Sequence, residues 1–402
     1  MREVKKHSIL RETNRTILFT GLNALVNIAF FGFAARTLDV ANFGMELQII
    51  SAAGAIAGLL DFGTSYFFLR ELSSGRTNID KLKGAFFGRT FIVAFCCVPL
   101  IFFAALTSSF YLIQFALLLN IQMILQFVTV PMRARGNTSV LSRSLLQERI
   151  LSLIVLVIVS RYFSNPPITL IIFVTTLIST LSLLRTRIIL KRFCLSNTEI
   201  NWNPWRQTLG IGSTQVLSQI QQLDLNLLAS LTSSTVAATY GAVARWTNAL
   251  GIFATGFSQS IVPSASRPNF DKFEVRELKK ASLWLIMAIL CSLTIFAFAP
   301  QIVTLVLGGK YQDSSGILRV LAIATVASTF TQPSAAYLQA KGLNIAVFAS
   351  LATGIILQVS TIIIFYEKLG PYSAAYGFLI GQFVAATMLF LTLLRYKISP
   401  RN

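Results

Sequence analysis

The chain has 402 residues, 54% of them apolar and 12% charged, with a mean hydropathy of +0.68. Soluble domains carry roughly 25% charged residues, so a water-exposed globule of this size is excluded and lipid is the solvent. Lys and Arg number 34 against 15 acids, a formal charge of +19. In so apolar a chain that excess is charge kept on the cytoplasmic side of a membrane, and nucleic acid is excluded as a partner.

A helix that crosses the bilayer needs about 20 apolar residues, and backbone groups cannot go unpaired in hydrocarbon. Twelve helices are predicted on this basis, at 14–35, 43–68, 84–106, 110–131, 145–164, 167–190, 208–231, 235–262, 283–307, 316–338, 343–366 and 373–394. The fifth carries Glu148 and Arg149 at its start, which puts its first turns at the interface. The opening Met1-Arg-Glu-Val-Lys-Lys lacks a small-residue cleavage site, so the first stretch is read as a retained span. With the N-terminus inside, 28 of the 34 basic residues fall on the cytoplasmic side and five outside, with Arg245 within a span. Strict loop-by-loop alternation of this kind predicts both termini in the cytoplasm.

The chain also reads as doubled. Val40-Ala-Asn-Phe43-Gly44 opens the second span and Val236-Ala-Ala-Thr-Tyr240-Gly241 opens the eighth. The basic connector 191–206 separates an N-terminal six-helix bundle, 1–190, from a C-terminal one, 207–402. Two halves that both start inside imply parallel repeats about an axis along the membrane normal. Arg267 to Ala281 mixes basic and apolar residues; it is either a surface helix on anionic headgroups or a connector whose charges set topology.

Polar groups inside spans carry the functional information. In span 7, Gln215, Gln219, Gln222 and Asn226 follow i, i+4, i+7, i+11, one stripe of a continuous helix. Such a stripe is either a hydrated cavity wall or glue between helices. Span 1 carries Thr16, Thr20, Asn23 and Asn27 in a similar line. Span 2 places Glu46 and Asp61 at the two ends of a face otherwise built of Ala53, Gly54 and Ala57. Span 8 gives Arg245, Asn248 and Gln259 on one broad face. Arg245 is either a functional cation or the partner of Glu46 or Asp224. Asp224 lies opposite the amide stripe, so it must be buried, paired or protonated: a coupling acid or a structural pair. Cys96, Cys97 and Cys291 are in apolar stretches, Cys194 is in a basic loop, and His7 is the one histidine. Neither a disulfide framework nor a zinc site is expected.

On these residues the chain resembles the polysaccharide or O-antigen flippases (the Wzx type) of the multidrug/oligosaccharidyl-lipid/polysaccharide exporter superfamily. Phe43-Gly44, Gly58-Leu-Leu-Asp-Phe-Gly63 and Arg70-Glu71 carry the resemblance in and after span 2. Gln222-Leu-Asp224 through Tyr240-Gly-Ala-Val-Ala-Arg245 carry it across spans 7 and 8. Leu307-Gly-Gly-Lys-Tyr311 and Gly316-Ile-Leu-Arg-Val-Leu321 carry it between spans 9 and 10.

The resemblance implies an all-α polytopic membrane protein, two six-helix bundles in a V around a cavity lined by spans 1, 2, 7 and 8. It implies flipping of an undecaprenyl-diphosphate-linked oligosaccharide to the outer leaflet of the bacterial inner membrane by alternating access. Arg245, with Arg36 as a second cation, would hold the diphosphate. Asn23, Asn27, Gln215, Gln219, Gln222, Asn226, Asn248 and Gln259 would meet the sugars, and Glu46, Asp61 and Asp224 would couple or gate. Membrane lipids and the lipid-linked glycan are the implied partners, with a polysaccharide polymerase and chain-length machinery as candidates, and the protein is read as a monomer without cofactor or metal. The rival within the superfamily is a multidrug/cation antiporter, which needs the acids and not Arg245. An enzyme, such as a membrane glycosyltransferase or O-antigen polymerase, is discounted because the outer loops are only a few residues long.

Overall fold

The computed structural model describes residues 6–73, 79–107, 109–134, 138–184, 200–203, 205, 208–246, 251 and 272–398. These residues form helices and short connectors, with no strand among them. In chain order the helices are α1 (Lys6–Thr37), α2 (Val40–Asp61), α3 (Thr64–Ser73), α4 (Ile79–Leu106), α5 (Phe110–Ala134), α6 (Thr138–Val159) and α7 (Ile168–Leu184). There follow α8 (Leu209–Gln221), α9 (Asp224–Leu231), α10 (234–246), α11 (Lys272–Ala297) and α12 (Ala299–Val306). A 3-10 turn, Gly309–Tyr311, leads to α13 (Ser314–Ala340), α14 (Asn344–Leu369) and α15 (Tyr372–Ile398). Among the described residues seven helices are long and apolar enough to cross a membrane, and an eighth if the bent pair α11–α12 is one span. Phe91, Phe95, Phe102 and Phe103 on α4 are all exposed. In water such a face would be a liability; facing lipid, it is the ordinary outside of a spanning helix.

Three predicted spans are broken. Span 2 stops at Asp61, because Phe62 (φ 43°) and Gly63 (φ 73°) take the left-handed conformation and turn the chain into α3. Span 7 is divided at Gln222 and Leu223 into α8 and α9. Span 9 bends by 81° between α11 and α12, where Pro300 opens α12 and removes an N–H donor. The reading of 267–281 as a separate surface helix does not hold from Lys272 onward, since α11 runs unbroken from there into the span. The first turns of the fifth predicted span are packed inside the first unit, where Glu148 is 5% exposed.

The described chain forms two compact units: residues 1–30 with 46–222, and residues 31–45 with 223–402. The division differs from the chain-order halves at 191–206. It falls inside span 7, at its helix break, and the tip of the α1–α2 hairpin belongs to the second unit. In the first unit α3, α4 and α5 meet at Phe68, Phe86 and Phe127, where the Phe86 and Phe127 rings stack with centroids 3.6 Å apart. A polar seam joins α6 to α7 through Ser144–Ser179 at 3.2 Å and Ser152–Thr175 at 2.8 Å. In the second unit α14 and α15 pack through glycine. A Cβ added at Gly354 would lie 2.6 Å from the Gly381 carbonyl, and one at Gly377 would lie 2.7 Å from that of Gln358. Gly377-Phe-Leu-Ile-Gly381 is thus a small-xxx-small contact, which replaces the missing hydrophobic drive for association in lipid with close packing.

Candidate functional site

Of the three predicted coupling acids, two are engaged at helix ends. Asp61 ends α2 and accepts hydrogen bonds from the hydroxyls of Thr64 (2.8 Å) and Ser65 (2.7 Å), so it caps the start of α3. It also forms a buried ion pair with Arg89 of α4, whose guanidinium donates to Thr64 as well. Arg89, counted as a loop charge, is therefore an interior partner. Glu46 accepts the Thr169 N–H at 2.7 Å, which places a carboxylate on the N-terminus of α7, where four N–H groups lack helical partners.

Asp224 differs from both. It opens α9 in the second unit, accepts the Tyr240 hydroxyl on α10, and receives the Gln358 amide of α14 at 3.3 Å. Tyr240 and Gln358 are buried. The Arg245 guanidinium, on α10, is within electrostatic reach of Asp224 and lies 4.7 Å from the Phe31 ring centroid, a cation–π contact. The carboxylate thus sits on neutral donors with one cation nearby. Such a group can exchange a proton or a small cation without leaving an unpaired charge behind.

The amide stripe does not survive as one face. Gln215 and Gln219 are on α8, Gln222 follows its last residue, and Asn226 is on α9 beyond the break; the first three belong to the first unit and Asn226 to the second. Gln219 is 8% exposed, and its amide occupies the space a Cβ on Gly58 would take. The Gln222 carbonyl accepts the Ser51 hydroxyl at 2.9 Å. A period count assumes a continuous helix, and Leu223 interrupts it. On α1, by contrast, Asn23 and Asn27 remain on one helix, half-buried. Each has a buried side-chain oxygen with no partner among the described residues. Such oxygens are costly unless water or a ligand reaches them. Arg36 is engaged elsewhere in the second unit, with the backbone carbonyls at the end of α12. Asn248 and Gln259 lie outside the described residues.

One carboxylate was passed over. Glu148 on α6 accepts the Thr176 hydroxyl of α7 at 2.8 Å through one oxygen, and the other is buried with no partner among the described residues. Its signal in the sequence was the acid itself, three positions before the apolar run 151–159; it was assigned to the interface because Arg149 adjoins it. No group of three metal-binding side chains occurs among the described residues.

No family model and no curated protein matches the chain. Solved structures do. An outward-facing multidrug resistance MATE family transporter of the MOP superfamily is 18% identical, with 99% of each chain covered and a TM-score of 0.69. A MOP superfamily transporter from Pyrococcus furiosus, described as having a binding pocket of reversed polarity that suggests a different function, is 19% identical over 96% of this chain and 95% of that one, with a TM-score of 0.66. A Vibrio cholerae MATE transporter is 16% identical over 98% of both chains, also at 0.66. This all-α polytopic membrane chain therefore has the fold of those transporters from end to end.

Proposed function

We propose that the protein is a secondary transporter that works by alternating access, a multidrug/cation antiporter in which Asp224 binds the coupling cation. The observation that carries the reading is the Asp224 carboxylate held by the buried Tyr240 hydroxyl and Gln358 amide, with the Arg245 charge within electrostatic reach. The fold shared with MATE transporters supports it. In proteoliposomes, an imposed proton or sodium gradient is expected to drive efflux of ethidium, an organic cation. Asp224→Asn is expected to abolish the gradient dependence while the protein still inserts and folds. Absence of gradient-driven ethidium movement in the wild-type protein would overturn the antiporter.

A second reading, flipping of an undecaprenyl-diphosphate-linked oligosaccharide in the bacterial inner membrane, is favoured by a separate observation. Asp61 and Glu46 are engaged at helix ends, so the acidic surface an antiporter needs is reduced, and the Arg245 guanidinium lies against the Phe31 ring, a cation of the kind a diphosphate pairs with. Cells lacking their own flippase then display the glycan outside when this protein is present. Arg245→Lys keeps the export and Arg245→Ala loses it; equal function of both variants excludes a charge role.

A further inference from the structure

The helices α1 and α2 each change unit part-way along: α1 between Phe30 and Phe31, α2 between Met45 and Glu46. The tip between these points is fastened to the corner α12–turn–α13 of the second unit. The Arg36 Nε donates to the Val306 carbonyl at 3.0 Å, and its Nη2 to those of Thr304 (3.3 Å) and Leu305. These are last-turn carbonyls of α12, which lack helical donors and carry the negative end of the helix dipole. A guanidinium fork meets them with charge and geometry together. From the other side, Lys310 Nζ donates to the Leu38 carbonyl at 3.3 Å. Gly308, at φ +87°, turns the chain so that the Arg36 stem passes it closely. Beneath this, Phe43 meets Tyr311 edge-on at 6.0 Å between centroids.

We propose that Arg36 is a latch: its grip on the end of α12 holds the α1–α2 tip on the second unit in one state of the transport cycle and is released in the other. The inference rests on the alternating-access reading of the preceding section. A change in the relation of the two units must either bend two helices at once, at 30/31 and 45/46, or release the tip. Release lets the exposed Arg36 exchange three carbonyls for water and uncovers Leu38 and Phe43, whereas bending breaks the hydrogen bonds of two helices at once. By the distribution of basic residues the tip is at the outer face.

The test is a distance distribution from spin labels at Ala41→Cys and Gln312→Cys in nanodiscs, with Cys96, Cys97, Cys194 and Cys291 replaced by Ser. Neither labelled side chain takes part in the clasp. The wild-type background is expected to show a short and a long population. Arg36→Ala should raise the long-to-short ratio by at least about tenfold, since it removes all three of these charge-assisted hydrogen bonds. Arg36→Lys, which keeps the charge without the fork, should fall between them and serves if Arg36→Ala fails to fold. A ratio unmoved by either substitution overturns the latch. A shifted ratio in a protein that moves neither ethidium nor lipid-linked glycan leaves the latch standing and sinks the transport reading instead.

Discussion

Asp61→Ala and Arg89→Met remove the two halves of one buried pair, and the geometry makes their costs unequal. The side chains are 6% and 4% exposed. Without Arg89, the Asp61 carboxylate keeps the Thr64 hydroxyl at 2.8 Å, the Ser65 hydroxyl at 2.7 Å and the Ser65 N–H at 3.3 Å. The loss is then that of a charged hydrogen bond, about 1.5–3 kcal/mol. Without Asp61, the guanidinium keeps the Thr64 hydroxyl at 2.6 Å, and its Nε has no partner among the described residues. A buried charge left in this way costs about 3–5 kcal/mol. In the double variant, removing Asp61 costs only the cap of α3, about 1 kcal/mol, so the double loss falls short of the sum by about 2–4 kcal/mol. Unfolding in detergent followed by tryptophan fluorescence measures all three. Trp205 is a local reporter, because its indole N–H donates to the Leu60 carbonyl at 2.8 Å. Equal single losses, or strictly additive ones, would refute the argument. Either result would return Asp61 to the list of groups free to bind a coupling cation.

Glu46→Gln should lower stability by about 1 kcal/mol, through loss of a charge on the α7 N-terminus, and leave any gradient dependence of transport unchanged; a thermal shift assay beside the ethidium assay checks both. Gly381→Ala puts a methyl against the Gly354 backbone, whose carbonyl lies 2.6 Å from the position of that Cβ, so a marked loss of monodisperse protein on size exclusion is expected, greater still for Gly381→Leu. Glu148→Gln keeps the Thr176 contact and removes a buried charge, so thermal stability is expected to be unchanged or raised; a marked fall in a thermal shift assay would show that the charge itself holds α6 to α7. Tyr311 is fully buried with its hydroxyl unpaired among the described residues, so Tyr311→Phe should be neutral or stabilising by about 1 kcal/mol. Burial, with the Asp39 charge, pushes that hydroxyl above the usual phenol range. Its contribution is complete below pH about 10 and is lost as pH rises toward the raised value, so the variant's advantage should widen on the alkaline side.

The residues that carried the family resemblance have plain mechanical duties in the fold. Phe43 packs on Tyr311, Gly58 leaves room for Gln219, and Gly44 meets the Ser234 backbone so closely that any Cβ would collide. The Asp61-Phe-Gly63 run is a left-handed turn followed by a capped helix. Motifs of this sort report a shared fold before they report a shared substrate, since side-chain size and backbone conformation constrain them at every such junction. That is why they led to the fold of the solved transporters, whereas the lipid-linked oligosaccharide that the resemblance implied rests on none of these residues.

Apolar run length and charge alternation are properties of the sequence alone, because bilayer thickness and the cost of unpaired backbone impose them on each segment separately. They determined that this is a helical membrane protein and where its spans lie. The breaks at Phe62, Leu223 and Phe298 were not determined in that way; beside the first two, carbonyls accept from side chains distant in sequence, Leu60 from Trp205 and Gln222 from Ser51. Nor were the duties of the charges. Whether Asp61, Glu46, Asp224 and Arg36 serve a cap, a pair or a site is decided by partners 3 to 270 positions away, and only the tertiary structure brings those together.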